Sequence, residues 1–334
     1  MITHSTHRYT SHEALETFLS DPTLLDAVSS SSSVLVQIFS ADTNPQHLQA
    51  VSALVSRRQP TATVVGATTV GEVSEGYSLT GCTVIGFTCF ESSTLSAIAM
   101  PCQDPHAGQV GAKLGRRISQ CPGKVVGVLL LATPLSIDAC ALLQGLESTA
   151  SGFPIFGWGA GDYAAMTHSL VFFGDRQYSH GAVAVVLAGD DLHIESKTYL
   201  GLRPLSKSMQ VTGVDQLLVK TVDGKPAFDV YRRYLNIAND ETFYLNALEF
   251  PFLLERDGGP LSSGTATGWK PIKRPCGPHP IPPHTFNSIC ATKCRTWNSC
   301  LACSPRAAPP LFKLGSMRSP PVSMPAGLPF CMSG

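Results

Sequence analysis

The chain has 334 residues and a hydrophobic share of 43%, enough for one large or two ordinary domains. Its 24 basic and 24 acidic residues cancel, but unevenly: no acid follows Asp257, so residues 1–257 are net acidic and residues 258–334 net basic. An acidic body excludes the usual nucleic-acid binder, no apolar run reaches the ~18–20 residues of a bilayer span, and the N-terminus lacks the apolar core of a signal peptide. The expectation is a cytoplasmic protein with neither nucleic acid nor membrane as partner.

Residues 1–30 read as an N-terminal helical segment, because Leu15, Phe18, Leu19 and Leu25 recur at helical spacing and Asp21-Pro22 interrupts them. A serine run leads into strand Val34–Phe39. Residues 45–57 form a helix with Leu48, Val51, Leu54 and Val55 on one face. Strands follow at 63–67, 82–88 and 94–100, then a helix over 106–120. The pattern then restarts: strand 124–132, helix 136–149, strand 154–158, and strands near 168–174, 181–189 and 192–200. From Gly213 the texture turns helical, first VDQLLVKTV and then PAFDVYRRYL. Cys82, Cys89, Cys102, Cys121 and Cys140 are scattered in or beside apolar runs and read as free thiols.

The restart is a repeat. TVVGATTVGEVSEG (Thr63–Gly76) is echoed ninety-one residues on by PIFGWGAGDYA (Pro154–Ala164), and VLVQIFS by VVGVLLL. The fold expected is therefore α/β: a duplicated β-α-β unit plus antiparallel strands in mixed sheets, over 31–205. A partial C-terminal α/β segment (206–257) and an irregular tail (258–334) follow. A duplication tends to set equivalent loops around one cleft. Its glycine-rich turns let backbone approach a small ligand, and the candidate ligand-binding residues are Thr68, Thr69, Gly71, Glu72, Gly157, Trp158, Gly159, Gly161 and Asp162. A carboxylate there can hold an ammonium and a tryptophan face a cation; the same residues also suit tight strand-end turns with capping acids.

Two other chemistries stand beside this one. Gly157–Asp162 invites a dinucleotide fingerprint, but Asp162 occupies the third glycine's place, where an acid would repel phosphate. His168, His180 and His193 lie in or beside strand-like runs, and one histidine in an apolar wall suffices to ligate haem. No metal or other cofactor is expected from the body. In the tail, Cys290, Cys294, Cys300 and Cys303 offer four thiolates for zinc. The tail also holds 14 of the 25 prolines with no acid, a texture that reads as an out-of-frame or disordered extension.

The succession VLVQIFS, TVVGATTVGEVSEG, CTVIGFT, VVGVLLL, FPIFGWGAGD and GAVAVVLAG resembles the FIST family of bacterial sensory domains. GKPAFDVYRRYL and NALEFPFLLERDG resemble the start of that family's C-terminal part. The resemblance covers about 31–258. It implies a non-catalytic sensor of a small molecule such as an amino acid, with some members linked to haem and nitric oxide. It further implies a signalling partner such as a histidine kinase or a cyclic-di-GMP enzyme. It carries over no catalytic residue, and most of the family's C-terminal segment is missing after Gly258.

Overall fold

The structure is a computed structural model that describes residues 1–102, 106–134, 136–162, 167–195, 202–215, 218–238, 250, 252–255, 262–264 and 311–317. Its contacts divide the chain into a body over Met1–Lys197 and a second that begins at Thr198. No helix among the described residues is long and apolar enough to cross a membrane.

The first body opens with β1 (Ile2–Tyr9), then α1 (His12–Leu19), α2 (Pro22–Ser29), β2 (Ser33–Ser40), α3 (Pro45–Arg58) and β3 (Thr63–Thr68). A short hairpin, β4 (Glu72–Ser74) and β5 (Tyr77–Leu79), precedes β6 (Thr83–Phe90). The series then recurs as β7 (Thr94–Pro101), α4 (Ala107–Ile118), β8 (Val125–Ala132), α5 (Ala139–Glu147), β9 (Ile155–Gly159), hairpin β10 (Val171–Phe173) and β11 (Arg176–Tyr178), and β12 (Gly181–Ala188). Caps fix the helix starts. Ser11, Asp21, Asn44 and Asp138 each accept a backbone N–H of the first turn, and prolines open α2 and α3.

Strand order confirms the duplication and enlarges it. The first half builds β1-β6-β2-β3 and the second builds β7-β12-β8-β9, with β2/β3 and β8/β9 parallel and the rest antiparallel. The repeat thus includes β1, where the sequence suggested only helix; Thr3, Thr6 and Tyr9 favour a strand, but its exposed and half-buried side chains give no apolar periodicity. The hairpin β10–β11 leaves its own half and pairs with β3, completing a six-stranded first sheet, while β4–β5 forms a two-stranded sheet of its own.

Alternation along the strands supplies two cores. Val34, Val36, Ile38, Val64, Ile85 and Phe87 face the helices, packing with Leu15, Leu19, Leu48 and Val51. Leu35, Val65 and Ala67 face the other way, toward Leu129, Leu131, Val183 and Val185 of the second sheet. Each parallel pair is drawn tight at an equivalent glycine. Gly66 lies opposite Ile38 and Gly157 opposite Leu130, and a Cβ would sit 2.2 Å and 1.9 Å from the respective carbonyl oxygen. Gly157 also has φ +145, a backbone that side chains rarely adopt. α4 and α5 lie side by side, with Gly111 and Gly115 against the carbonyls of Leu142 and Leu146.

The second body holds β13 (Leu202–Pro204), β14 (Met209–Asp215), β15 (Leu218–Val222), β16 (Lys225–Pro226), α6 (Ala227–Leu235), β17 (Phe252–Glu255), β18 (Ser262–Gly264) and β19 (Leu311–Met317). The described residues of VDQLLVKTV, 214–215 and 218–222, are therefore strand, not helix: Val219 and Val222 are buried, and the Asp223-Gly224 turn, with φ 49 and 73, returns the chain into β16. Tyr231 and Val230 of α6 pack on Val211 and Val222. Two strands, β18 and β19, fall inside the tail expected to be irregular, and β19 pairs with β13, β14 and β17. Residues 192–195 carry no strand, and the rest of the expected 192–200 strand lies outside the described residues.

Candidate ligand-binding site

The two halves match hydrogen bond for hydrogen bond at the carboxyl ends of their parallel strands. The Thr69 N–H donates to the Ser40 carbonyl at 2.8 Å, as Ala160 does to Ala132 at 2.8 Å. Ala41 N–H donates to Cys82 at 2.9 Å, as Thr133 does to Gly181 at 3.1 Å. The two sets of strand ends then join each other, because the Gly161 N–H donates to the Thr68 carbonyl at 2.8 Å. Gly161 has no side chain to obstruct this approach; a Cβ there would lie 2.8 Å from Val70 Cγ1. In parallel α/β sheets, ligands bind at this end of the strands.

Polar groups are concentrated here. Ser40, Thr68, Thr69, Glu72, Thr83 and Asp162 are all buried, and burying a hydroxyl or carboxyl is unfavourable unless it is bonded or used. The Ser40 and Thr83 hydroxyls meet at 2.7 Å. The Thr68 hydroxyl accepts the Leu170 N–H at 3.0 Å. Glu72 accepts from the Thr69 hydroxyl, and at 3.4 Å from the Cys82 thiol. Burial pushes the Cys82 thiol up and the Glu72 carboxylate adds to this, while the Arg8 guanidinium works the other way. Ser169, between residues bonded to Asp162 and Thr68, is 3% exposed and its hydroxyl has no hydrogen-bond partner.

Of the residues expected from sequence, Thr68, Thr69, Glu72 and Gly161 come together at this junction. Asp162 is a turn acceptor: its Oδ2 takes the Thr167 and His168 N–H groups and the Thr167 hydroxyl. Gly157 lies inside β9, two residues short of the strand end, and serves packing. Trp158 is half-buried with its ring 4.7 Å from that of Phe39. Gly71 and Gly159 are exposed; a Cβ on Gly159 would come 2.8 Å from Pro134. His168, His180 and His193 are all exposed, and His193 pairs with Glu195 at 3.2 Å, so none forms the apolar wall a haem ligand needs. The element after the Gly157–Asp162 turn, among the described residues, is the strand β10, not the helix a dinucleotide fingerprint opens. Cys290, Cys294, Cys300 and Cys303 lie outside the described residues, and no His/Cys/Asp/Glu group that could hold a metal occurs among the described ones.

Sequence reading missed Ser40, Thr83, Cys82, Ser169 and Arg8. The first two had a readable signal: each is a hydroxyl at the end of an otherwise apolar strand.

No curated protein matches this chain in sequence. The sequence model of the FIST N domain matches residues 34–225. The match runs from β2 through β12 and on to β16, so it takes in most of the duplicated body and the strands that open the second. The chain belongs to the FIST family, whose members are sensory domains of signal transduction.

Proposed function

We propose that this protein is a non-catalytic sensor that binds a small molecule, of amino-acid type, where the carboxyl ends of its two parallel strand pairs meet. The observation that supports this best is the Thr68–Gly161 hydrogen bond, with buried hydroxyls and a buried carboxylate gathered round it. A ligand contacting both loops favours the arrangement in which they touch, and only such a differential affinity can bias a signalling state. The partner that reads this bias is a signalling output such as a histidine kinase or a cyclic-di-GMP enzyme, and the setting is the cytoplasm.

The test is a melting series on the full chain with each of the twenty amino acids. A ligand at a hundred times its Kd adds about 2.7 kcal/mol by mass action, which raises Tm by several degrees. Trp158, the tryptophan beside the junction, reports the same event by its emission. Twenty unshifted melting curves would sink the amino-acid reading.

A further inference from the structure

We propose that the chain holds one ligand subsite rather than two, in its first half, and that the Glu72 carboxylate is the acceptor for the ligand's primary ammonium. This rests on the ligand-binding reading above and adds to it a stoichiometry, a charge and a moving part.

The equivalences fix the stoichiometry. Ser40 pairs with Thr83, and their counterparts Ala132 and Ala182 pair in the same way. Ser40 also pairs with Thr68, and Ala132 with Gly159. At these positions the polar floor of the first half is thus replaced by alanine and glycine in the second, and the buried Thr133 hydroxyl beside them is committed to Ser136 and to the Gly181 N–H. The space this leaves is filled, because Pro134 packs where a Gly159 side chain would stand. One end of the pseudo-symmetric pair keeps groups that recognise a ligand, and the other is plugged.

The charge follows from Glu72. It is 3% exposed and its bonds come from one hydroxyl and one thiol, both neutral donors. Among the described residues no cation makes an ion pair with it; Arg8, on an exposed position of β1, reaches the Cys82 thiol that Glu72 also accepts from, but not the carboxylate itself. A buried carboxylate with no direct ion pair is costly. It also retains lone pairs beyond the two in use. A ligand ammonium supplies both the missing charge and the missing donors.

Access follows from the hairpin that Glu72 begins. Its counterpart β10–β11 is bound into the six-stranded sheet, whereas β4–β5 belongs to neither large sheet. No ladder bond ties β4–β5 to either sheet; it is held by side-chain contacts such as the Ser74 hydroxyl to Thr6 of β1 at 3.2 Å and the Cys82 thiol to Glu72. A two-stranded hairpin is by itself marginally stable, so β4–β5 can swing and uncover Glu72 by giving up those contacts while both sheets stay intact.

The experiment compares wild type with Glu72→Gln in the full chain. Ligand-free, Glu72→Gln melts within about 2 °C of wild type or above it, since a buried acid with no ion pair is removed; a fall of several degrees would make Glu72 a structural acceptor and overturn the proposal. With the amino acid that shifts wild type most, calorimetry gives one site per chain, and Glu72→Gln weakens binding at least tenfold. Two sites, or binding retained within threefold, overturns it. So does an equal wild-type shift from the 2-hydroxy-acid analogue, which lacks the amine. If no amino acid shifts wild type, the sensor reading of the previous subsection fails, and the ligand-free melting temperature of Glu72→Gln still decides whether the carboxylate is a structural acceptor.

Discussion

In the first half the strand after the crossover helix ends in Thr68-Thr69, and the hairpin behind it pairs with neither large sheet. In the second half the same strand ends in Gly159-Ala160, and its hairpin is carried to the opposite sheet. The backbones agree down to single hydrogen bonds, Thr69 to Ser40 and Ala160 to Ala132. The chemistry at the strand ends does not. The frame depends on main-chain pairing and on small residues at a few contact points. The end residues are free of that duty, so one half keeps hydroxyls at Ser40, Thr68 and Thr83 while the other has alanine and glycine at the same places.

Substitutions at the paired glycines sharpen the shared part of this comparison most. Gly66→Val and Gly157→Val each push a side chain into a neighbouring carbonyl, and each is expected to cost about 4 kcal/mol or more, read from the urea midpoint. If either half tolerates the change, the two parallel pairs are not equivalent. Asp162→Ala comes next. It strips an acceptor from two backbone donors and a hydroxyl, for an expected loss of about 1–3 kcal/mol. A neutral Asp162→Ala would move that acid from the turn to the ligand.

Amide exchange compares the hairpins directly. Protection over Val73–Leu79 should fall well below that over Val171–Tyr178, because only the latter is backed by β3. Equal protection would remove the moving part. The smallest effect concerns β1 and pH. Burial lowers the pKa of His4 and His7 below the usual 6.5, so the unfolded chain binds protons more readily than the folded one. Their contribution is complete above pH 6.5 and is lost as pH falls from there through the lowered folded values. His4→Gln with His7→Gln should flatten the slope of Tm against pH in that window.

The sequence made the central strands and helices readable because each has a clear period: Val34–Phe39 and 181–189 as apolar runs, Leu48, Val51, Leu54 and Val55 as one helix face. β1 escaped, since its contacts come from pairing with β6 and not from an apolar stripe. VDQLLVKTV read as a helix because Leu and Lys are good helix formers, and the sheet overrode that propensity. Thr68, Thr69 and Glu72 were legible as a loop. Ser40 and Thr83 were legible only as single strand-end hydroxyls and not as a pair, because the register of β2 against β6 is what sets them together. Asp162 was legible as a loop acid, but the turn N–H groups its Oδ2 accepts have no sequence signature.

The hairpin exchange has a consequence for synthesis. When β6 leaves the ribosome, the first sheet already has β1, β6, β2 and β3, yet the outer edge of β3 stays bare. It remains so until Tyr178 is made, close to ninety residues later, which at about 5–20 residues per second is roughly 5–20 s. For that interval the nascent chain displays the Val65–Ala67 stretch of β3 along a bare outer edge, the kind of edge that recruits a wrong partner. The second half is therefore also a clasp for the first, and slow or halted translation between Phe90 and Tyr178 should be the moment at which this chain is most prone to aggregate.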